Sequence, residues 1–371
     1  MICTLRRPAL LLLNAAAASL LLAGAASGEP RVIRMSEPAT VATSDMHVVG
    51  RTLTLADGSL RHQWPGLYFE SAFEGRSIDF TVGRGDVILN ILIDGKPVGT
   101  LSKPAAGRYR VADLPRGKHL ARVAVLTESQ AGPNEFGGFT IPEGKPLAAP
   151  RRERQIEFIG DSHTVGYGNT STTRECTEAE VWATTDNTRA FGPTTARHFD
   201  ADYRINAISG RGIVRNYNGF AADTLPQAYP FALFDHSARA DDAAWHPQVI
   251  VISLGTNDFS TPLHDGERWA SREALHADYE ATYVRFVQQL RAAQPQAFFI
   301  LWATDMAEGE IQAEVRKVVE QLRTAGEERI AFVPVNGLAM TGCHWHPSVA
   351  DDDVIAAKLT AFIDSRKQLW Q

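Results

Sequence analysis

The chain has 371 residues, enough for two or three domains, and its apolar and charged fractions of 44% and 22% are ordinary for globular proteins. Its net charge at neutral pH is −6, and it becomes −8 without residues 1–28, which carry two arginines and no acidic residue. This negative charge argues against nucleic acid or an anionic membrane as the partner, and it suits a neutral substrate.

Residues 1–28 have the pattern of a signal peptide. Arg6 and Arg7 precede an apolar stretch at 8–22, and the small residues at 23–28 are typical of a cleavage site. A membrane anchor is the alternative, but the stretch is short, and no later stretch is long enough to span a bilayer. We therefore expect a secreted or periplasmic protein with no membrane attachment once the leader is cleaved.

The next part of the chain is predicted to be all-β. Residues 29–46 read as an extended segment, and residues 47–141 show short alternating runs separated by turn residues such as Asp94-Gly95, which are typical of hairpins. No long helical pattern interrupts this series, which favours a β-sandwich of jelly-roll type. Residues 142–155 contain several prolines and arginines and are predicted to be a linker.

Residues 156–371 show a different pattern, in which apolar strand patterns alternate with helical patterns. The strand patterns cover residues 156–159, 203–208, 248–254, 297–302 and 330–335, and the helical patterns cover about 188–199, 271–294, 308–325 and 350–368. This alternation predicts an α/β domain with a parallel sheet between helices. Active sites in such folds lie at the C-terminal ends of the strands.

Three motifs in this region favour serine catalysis. Ser162, in Gly-Asp-Ser, and Asn257, in Gly-Thr-Asn-Asp, each follow an apolar run, and His346, in His-Pro-Ser, lies near the C-terminus. A serine becomes a nucleophile only with a base and a cradle for the oxyanion. Taken alone, the motifs read as a helix N-cap serine, an ordinary turn and one of 11 histidines. Their combination and order favour the catalytic interpretation.

This combination resembles the SGNH (GDSL-type) hydrolases. Within that group, Gly-Asp-Ser-x-Thr-x-Gly-Tyr-Gly-Asn at 160–169 and Gly-Cys-x-Trp-His-Pro-Ser at 342–348 resemble carbohydrate esterase family 2. Segments 49–51, 64–66 and 73–75 are similar to the β-sandwich that precedes the hydrolase domain in that family. The resemblance implies a serine esterase that removes acetyl groups from plant polysaccharides without a metal or other cofactor.

The resemblance also implies roles for individual residues. Ser162 would be the nucleophile and His346 the general base. The oxyanion would be bound by the N–H groups of Ser162 and Gly210 and by the side chain of Asn257. Gly212 is the alternative to Gly210, which is nearer to the end of its strand.

One feature departs from the family pattern. Relatives with a catalytic triad carry an aspartate two or three residues before the histidine, where this chain has His344 and Cys343. A buried acid normally fixes the histidine tautomer and stabilises the imidazolium. Three alternatives remain open: a serine–histidine dyad in which a backbone carbonyl holds the ring, orientation of the ring by His344, or impaired activity.

The residues around His346 carry further predictions. Cys176 and Cys343 are the cysteines outside the leader, and each lies just beyond a catalytic motif, so we expect a disulfide; two buried thiols are the alternative. Cys343, His344 and His346 also invite a zinc site, but no second pair of ligands is visible, and we predict none. Trp345, beside the base, is the best candidate for stacking on a sugar.

The leading hypothesis is therefore an exported esterase that acts on an acetylated neutral polysaccharide or oligosaccharide of the xylan or glucomannan type. A carbohydrate-binding protein with a vestigial esterase site is the first alternative, supported by the missing acid. A lipase or thioesterase on the same fold is the second, although the sequence shows no extended apolar lid. The natural acyl group and the oligomeric state stay open at this point.

Overall fold

The computed structural model describes residues 29–36 and 44–370, and the predicted signal peptide at residues 1–28 lies outside them. The described residues before position 150 form the strands β1 (Arg31–Arg34), β2 (His47–Val49), β3 (Thr52–Thr54), β4 (Leu60–His62), β5 (Tyr68–Gly75), β6 (Ile78–Val82), β7 (Ile88–Ile93), β8 (Lys96–Ser102), β9 (Gly107–Ala112), β10 (Gly117–Val125), β11 (Asn134–Thr140) and β12 (Gly144–Leu147).

These strands pair into two antiparallel sheets. One sheet has the order β1-β9-β6-β11-β4-β3, and the other has the order β12-β5-β10-β7-β8, with β2 also paired to β5. Hydrophobic side chains from both sheets meet in one core, where Phe69 stacks on Phe136 with ring centroids 3.9 Å apart. Burying each of these rings contributes about 1.5–3 kcal/mol. The predicted β-sandwich is confirmed.

Tight turns set the register of two hairpins in these sheets. Asp57-Gly58 lies between β3 and β4, and Asp94-Gly95 lies between β7 and β8. Asp94 and Gly95 have φ values of 51° and 76°. Two successive residues with positive φ are what a two-residue hairpin turn requires.

The segments at either end of the sandwich are more regular than the sequence pattern indicated. The predicted extended segment, residues 29–46, contributes β1, which pairs with β9. In the predicted linker, residues 142–155, Gly144–Leu147 forms β12 at the edge of a sheet beside β5. Pro146 fits there because an edge strand leaves one side of its backbone without ladder hydrogen bonds.

The C-terminal region contains the strands β13 (Arg154–Gly160), β14 (Ala201–Ala207), β15 (Val249–Ser253), β16 (Phe298–Thr304) and β17 (Ile330–Val335). Its helices are α1 (Ser162–Val165), α2 (Glu178–Thr184), α3 (Phe191–His198), α4 (Leu225–Ala228), α5 (Thr256–Phe259), α6 (Arg272–Ala293), α7 (Glu310–Thr324) and α8 (Val349–Asp364). Short 3₁₀ turns lie at Asn187–Arg189, Tyr217–Gly219, Ala307–Gly309, Cys343–Trp345 and Lys367–Trp370.

The five strands form a parallel sheet in the order β14-β13-β15-β16-β17. Both faces of the sheet are buried. In β15, Ile250 and Ile252 pack into one core with α6 and α7, whereas Val249 and Val251 pack into the other with α3 and α8. Side chains that alternate between two covered faces explain the continuous apolar run. The predicted parallel sheet between helices is confirmed.

The strand order creates a crevice above β13. The chain goes from β13 to β14 on one side and then to β15 on the other, so the two following connections diverge. Ligands of open α/β sheets bind at such a switch point, beyond the carboxyl ends of the strands. The loops after β13, β14 and β15 carry Ser162, Gly210 and Asn257. Separately, none of the helices in the described ranges is long and apolar enough to cross a membrane.

Candidate active site

Ser162 lies where β13 ends and α1 begins. Asp161 caps α1, because its Oδ1 accepts a hydrogen bond from His163 N at 3.0 Å. The turn requires glycine at position 160, since a Cβ there would lie 2.0 Å from Thr164 Oγ1. This packing holds Ser162 at the base of a cleft, with 5% of its surface exposed.

Ser162 is hydrogen-bonded to His346. The distance from Ser162 Oγ to His346 Nε2 is 2.8 Å, and His346 Nδ1 lies 3.0 Å from Cys343 O and 3.2 Å from His344 O. A proton on Nδ1 that is donated to these carbonyls leaves the lone pair of Nε2 facing the serine. The geometry matches the dyad, the first of the three alternatives that the missing acid left open.

The backbone before His346 directs both carbonyls toward the ring. His344 and Trp345 have φ values of 51° and 57°. For residues other than glycine, this left-handed conformation costs about 1–3 kcal/mol and persists only where the surroundings enforce it. The surroundings here include hydrogen bonds from His344 N to Arg174 O and from His346 N to Cys343 O.

The side chain of His344 points away from the His346 ring. Its Nδ1 lies 3.2 Å from Tyr167 Oη, and its Nε2 lies 2.8 Å from Cys176 O. Tyr167 packs against the His346 ring, with centroids 4.3 Å apart. His344 therefore acts on His346 through its carbonyl and through Tyr167, and its imidazole does not replace the missing carboxylate.

Burial controls the protonation of the two rings beside Ser162. Removal of the His346 ring from water lowers its pKa to about 4, and the hydrogen bonds to the two carbonyls only partly oppose this effect. His163 lies edge-on to that ring at 5.5 Å, and burial lowers its pKa to about 3. Both rings are neutral at pH 7, the state in which His346 can accept a proton.

We expect His346 to stay neutral in solutions where an ordinary histidine is protonated. Its folded-state pKa lies below 6.5, so the ring gains its proton only as the pH falls toward about 4. The titration of ¹³C-labelled histidine Cε1 resonances measures this directly, with the His346 signal assigned through His346→Ala. A midpoint at 6.5 or above would show that the ring has a charge partner or a water exposure that this geometry lacks.

A disulfide bond joins Cys176 to Cys343. Cys176 precedes α2 in the loop that follows Ser162, and Cys343 supplies a carbonyl to the His346 ring. Arg174 adds hydrogen bonds from the same loop to Ala339 O and Met340 O, both at 2.7 Å. The bond therefore ties the loop after the nucleophile to the turn that holds the histidine.

Removing this bond should reduce both stability and activity. For Cys176→Ser combined with Cys343→Ser, we expect a loss of about 2–5 kcal/mol in the free energy of unfolding. We also expect a lower kcat, because the Cys343 carbonyl loses its covalent tether. Chemical denaturation and initial rates of the purified variant provide the test. Peptide mapping without reductant comes first, since two freely alkylated thiols in the denatured wild type would rule out the bond.

Asn257 and Gly210 flank Ser162 on either side of the crevice. Asn257 Nδ2 donates hydrogen bonds to Arg211 O at 2.9 Å and to Asp161 Oδ2 at 3.2 Å. Gly210 has a φ of 81° and lines the same cleft, and no described residue accepts a hydrogen bond from its N–H. Gly212 N instead donates to Asn216 Oδ1 at 3.2 Å, which leaves Gly210 as the better-placed donor.

Two buried aspartates support these loops, and neither was predicted as a functional residue. Asp258 accepts hydrogen bonds from the N–H groups of residues 213–215 at 2.9–3.0 Å, and Asp161 contacts Asn257. Burial raises the pKa of Asp161 to about 7 and that of Asp258 to about 6. In the sequence, what marked these aspartates was their position next to Ser162 and Asn257 in the two motifs.

The cleft above Ser162 has a volume of about 530 Å³ and an aromatic rim. Tyr217, Phe220 and Trp345 line it and expose 52%, 42% and 53% of their surfaces. Exposed aromatic groups gathered around one cleft indicate a ligand-binding surface. Sequence reasoning selected only Trp345, since Tyr217 and Phe220 lie in an irregular loop that reaches the cleft only through the fold.

The zinc site considered for Cys343, His344 and His346 has no free thiol in this structure. The sulfur of Cys343 is bonded to Cys176, and the rings of His344 and His346 have the partners described above. Within the described ranges, no group of three or more His, Cys, Asp or Glu residues is arranged to hold a metal ion.

Known proteins match both parts of the chain. Residues 48–150 match the family described as carbohydrate esterase 2 N-terminal, and residues 158–356 match the GDSL-like lipase/acylhydrolase family. An acetylxylan esterase/glucomannan deacetylase of Cellvibrio japonicus (strain Ueda107) is 48% identical over 331 residues, which cover 88% of this chain and 92% of the relative.

Solved structures resemble the whole two-domain arrangement. A carbohydrate esterase whose active site displays divergent catalytic and non-catalytic binding functions has a TM-score of 0.84 and 46% identity, and the match covers 89% of this chain and all of the other. A family two carbohydrate esterase of Clostridium thermocellum in complex with cellohexaose has a TM-score of 0.79 and 29% identity, over 88% of this chain and all of the other. The chain therefore belongs to carbohydrate esterase family 2.

Proposed function

We propose that this protein removes O-acetyl groups from a neutral plant polysaccharide, of the xylan or glucomannan type, by serine catalysis. The observation that carries the proposal is the hydrogen bond of 2.8 Å between Ser162 Oγ and His346 Nε2 at the base of an aromatic cleft. A vestigial site has no need to preserve this pair, so the geometry favours an active esterase over a protein that only binds carbohydrate.

In the first half of the reaction, Ser162 Oγ attacks the acetyl carbonyl while His346 Nε2 takes the hydroxyl proton. The ring is already in the required tautomer, because its Nδ1–H donates to the carbonyls of Cys343 and His344. His346 then returns the proton to the sugar oxygen as the bond to the carbonyl carbon breaks. Water, deprotonated by the same ring, then attacks the carbonyl carbon of the acetyl-serine. The bond to Ser162 Oγ breaks, the ring returns the proton to that oxygen, and acetate leaves.

The negative charge of the tetrahedral intermediate would be held by Ser162 N–H, Gly210 N–H and Asn257 Nδ2. Asn257 currently donates its two amide protons to Arg211 O and, over a longer distance, to Asp161 Oδ2. The oxyanion would replace Asp161 as the second acceptor. Each such donor typically contributes about 2.7–4 kcal/mol to transition-state stabilisation.

Two features support a neutral glycan as the substrate. The exposed rings of Tyr217, Phe220 and Trp345 offer stacking faces of the kind that sugar rings use. The net charge of −8 without the leader disfavours an anionic polymer. The relative from Cellvibrio japonicus is named for acetylxylan and glucomannan, which agrees with this choice. The leader pattern supports action outside the cytoplasm, where such polymers occur.

Acetate release from acetylated xylan and acetylated glucomannan tests the proposal. We expect release from at least one of these polymers, together with a steep fall in rate from p-nitrophenyl acetate to longer acyl esters. Tight binding of both polymers without any release would support a vestigial site instead. Rates that rise with acyl chain length would support a lipase or thioesterase.

A further inference from the structure

The β-sandwich contributes two side chains to the loop that carries Gly210. Both come from the segment between β10 and β11. Glu128 Oε2 accepts a hydrogen bond from Ser209 N at 2.9 Å, and Gln130 Nε2 donates one to Ser209 O at 3.2 Å. Residues of one domain thus hold the backbone of the other domain next to Ser162.

These two contacts fix successive peptide groups. Ser209 N belongs to the peptide that follows Ile208, whereas Ser209 O belongs to the peptide whose N–H is that of Gly210. Gln130 therefore binds the carbonyl end of a peptide whose other end is the N–H of Gly210, a residue that lines the cleft. A hydrogen bond at the carbonyl polarises the peptide and strengthens its N–H as a donor.

The segment that carries Glu128 and Gln130 is itself held on both sides. Gln63 Nε2 donates to Ser129 O at 2.9 Å, and Gln63 Oε1 accepts from Phe234 N of the α/β domain at 2.9 Å. Ser129 and Gln63 are both buried. A side chain that projects from such an anchored segment can orient the peptide it contacts, which a mobile loop could not do.

The α/β domain supports the other side of this loop through Asp258, which binds the N–H groups of residues 213–215. The described hydrogen bond of the Ser209–Gly210 peptide itself is the one that Gln130 Nε2 donates to Ser209 O. The next peptide is held by Tyr217 N, which donates to the Gly210 carbonyl at 2.9 Å. Orientation of the Gly210 N–H thus depends on a contact across the domain boundary.

We propose that Gln130 and Glu128 are positioning residues for the oxyanion hole, so that the β-sandwich completes the active site of the α/β domain. Gln130 also lines the cleft, and no described hydrogen bond joins either side chain to Ser162 or His346. Gln130 aligns and polarises the Gly210 N–H, and Glu128 fixes the preceding peptide. This inference rests on the proposed function, in which Gly210 N–H binds the oxyanion.

The test compares Gln130→Met with the wild type on p-nitrophenyl acetate. Methionine keeps the length of the side chain and removes the donor. Loss of a full oxyanion donor costs about 10²–10³-fold in kcat, so misalignment of one donor should cost about tenfold. We expect kcat and kcat/KM to fall together while KM changes less than twofold, because the contact acts only in the transition state.

Two further variants separate positioning from general damage to the domain interface. Gln130→Lys keeps a donor on an exposed side chain, and it should recover a large part of the lost rate. His47→Ala removes another contact between the domains, in which His47 Nε2 lies 2.8 Å from Asp202 Oδ2. Asp202 lies in β14, and Ser209 lies just beyond the end of this strand, seven residues later. Seven extended residues span about 20 Å, so this control should retain the wild-type kcat.

The outcomes distinguish this inference from the proposed function. If Gln130→Met retains the wild-type kcat while Ser162→Ala is inactive, the esterase mechanism stands and the positioning role is wrong. If Gln130→Met and His47→Ala lose activity equally, the effect belongs to domain packing and the inference also fails. If the wild type releases no acid from any ester, the proposed function fails first.

Discussion

Replacement of Ser162 by alanine should lower kcat for acetate release by about 10⁴-fold or more, which would be the largest effect of any single change in this chain. The hydroxyl is the only group placed to attack a carbonyl in the cleft while bonded to a neutral imidazole, within the described part of the chain. The oxyanion donors would remain, so a small rate above that of water should persist.

This result is informative only if the variant is folded. The side chain is small and 95% buried at a tight turn, and alanine fits the same space, so we expect an unchanged circular dichroism spectrum and thermal midpoint. Ser237→Ala, which changes a serine in an exposed turn, is the matched control. A folded Ser162→Ala protein with near-wild-type turnover would contradict a mechanism in which Ser162 is the nucleophile.

The second large effect should come from His346. His346→Ala removes the proposed base. We expect kcat to fall by about 10⁴-fold, as it does when a residue of a serine catalytic triad is removed. His344→Ala should keep a large share of the rate, because His344 supplies its backbone carbonyl to the His346 ring while its imidazole binds Tyr167 and Cys176. Initial rates of both purified variants on an aryl acetate provide the comparison.

Backbone conformation requires one more variant in this comparison. His344 has a φ of 51°, which asparagine tolerates better than alanine does. His344→Asn should therefore retain at least as much activity as His344→Ala. Equal loss of activity in folded His344 and His346 variants would mean that the His344 imidazole belongs to the machinery, and the dyad would be wrong.

The regular elements were predictable because their patterns are local. The strand predicted at 248–254 is Val249–Ser253, and the helix predicted at 271–294 is Arg272–Ala293. Both contain many apolar residues, which pack into the cores between the sheet and the helices. The short helices α2, α4 and α5 were not predicted, since four to seven residues give too little periodicity to recognise.

The site was predictable to the extent that its residues lie in motifs. Ser162, Asn257, His346 and the disulfide cysteines could be named from their surroundings in the sequence, and the structure brings them together around one cleft. Their catalytic roles remain predictions. The strand order explains this grouping, because the loops after adjacent parallel strands meet at one edge of the sheet.

The remaining parts of the site depend on contacts between distant segments. The missing acid made a backbone carbonyl one of three alternatives for holding the His346 ring, but the sequence did not indicate that Cys343 and His344 would supply it, since this depends on two left-handed residues in a turn. Gln130 lies 79 residues from Ser209 and in another domain. Such a contact has no local signature and is visible only in the folded chain.

The backbone-held histidine has a consequence for catalysis. A carboxylate partner would stabilise the imidazolium that forms when Ser162 loses its proton, whereas neutral carbonyls do so less strongly. Burial lowers the pKa of His346, and the hydrogen bonds to these carbonyls oppose that effect only in part. In the proposed mechanism, the oxyanion donors would then supply a larger part of the transition-state stabilisation, which would give the alignment of Gly210 N–H and Asn257 particular importance.

The central claim, that Ser162 is a nucleophile activated by His346, is tested most directly by covalent labelling with a p-nitrophenyl phosphonate ester. Attack by the serine forms a phosphorus–oxygen bond and releases nitrophenolate. We expect one adduct per chain, located by peptide mass mapping at Ser162, with esterase activity lost in proportion to labelling and no adduct in Ser162→Ala or His346→Ala. An adduct at another residue, or full activity in a protein labelled at Ser162, would contradict the account.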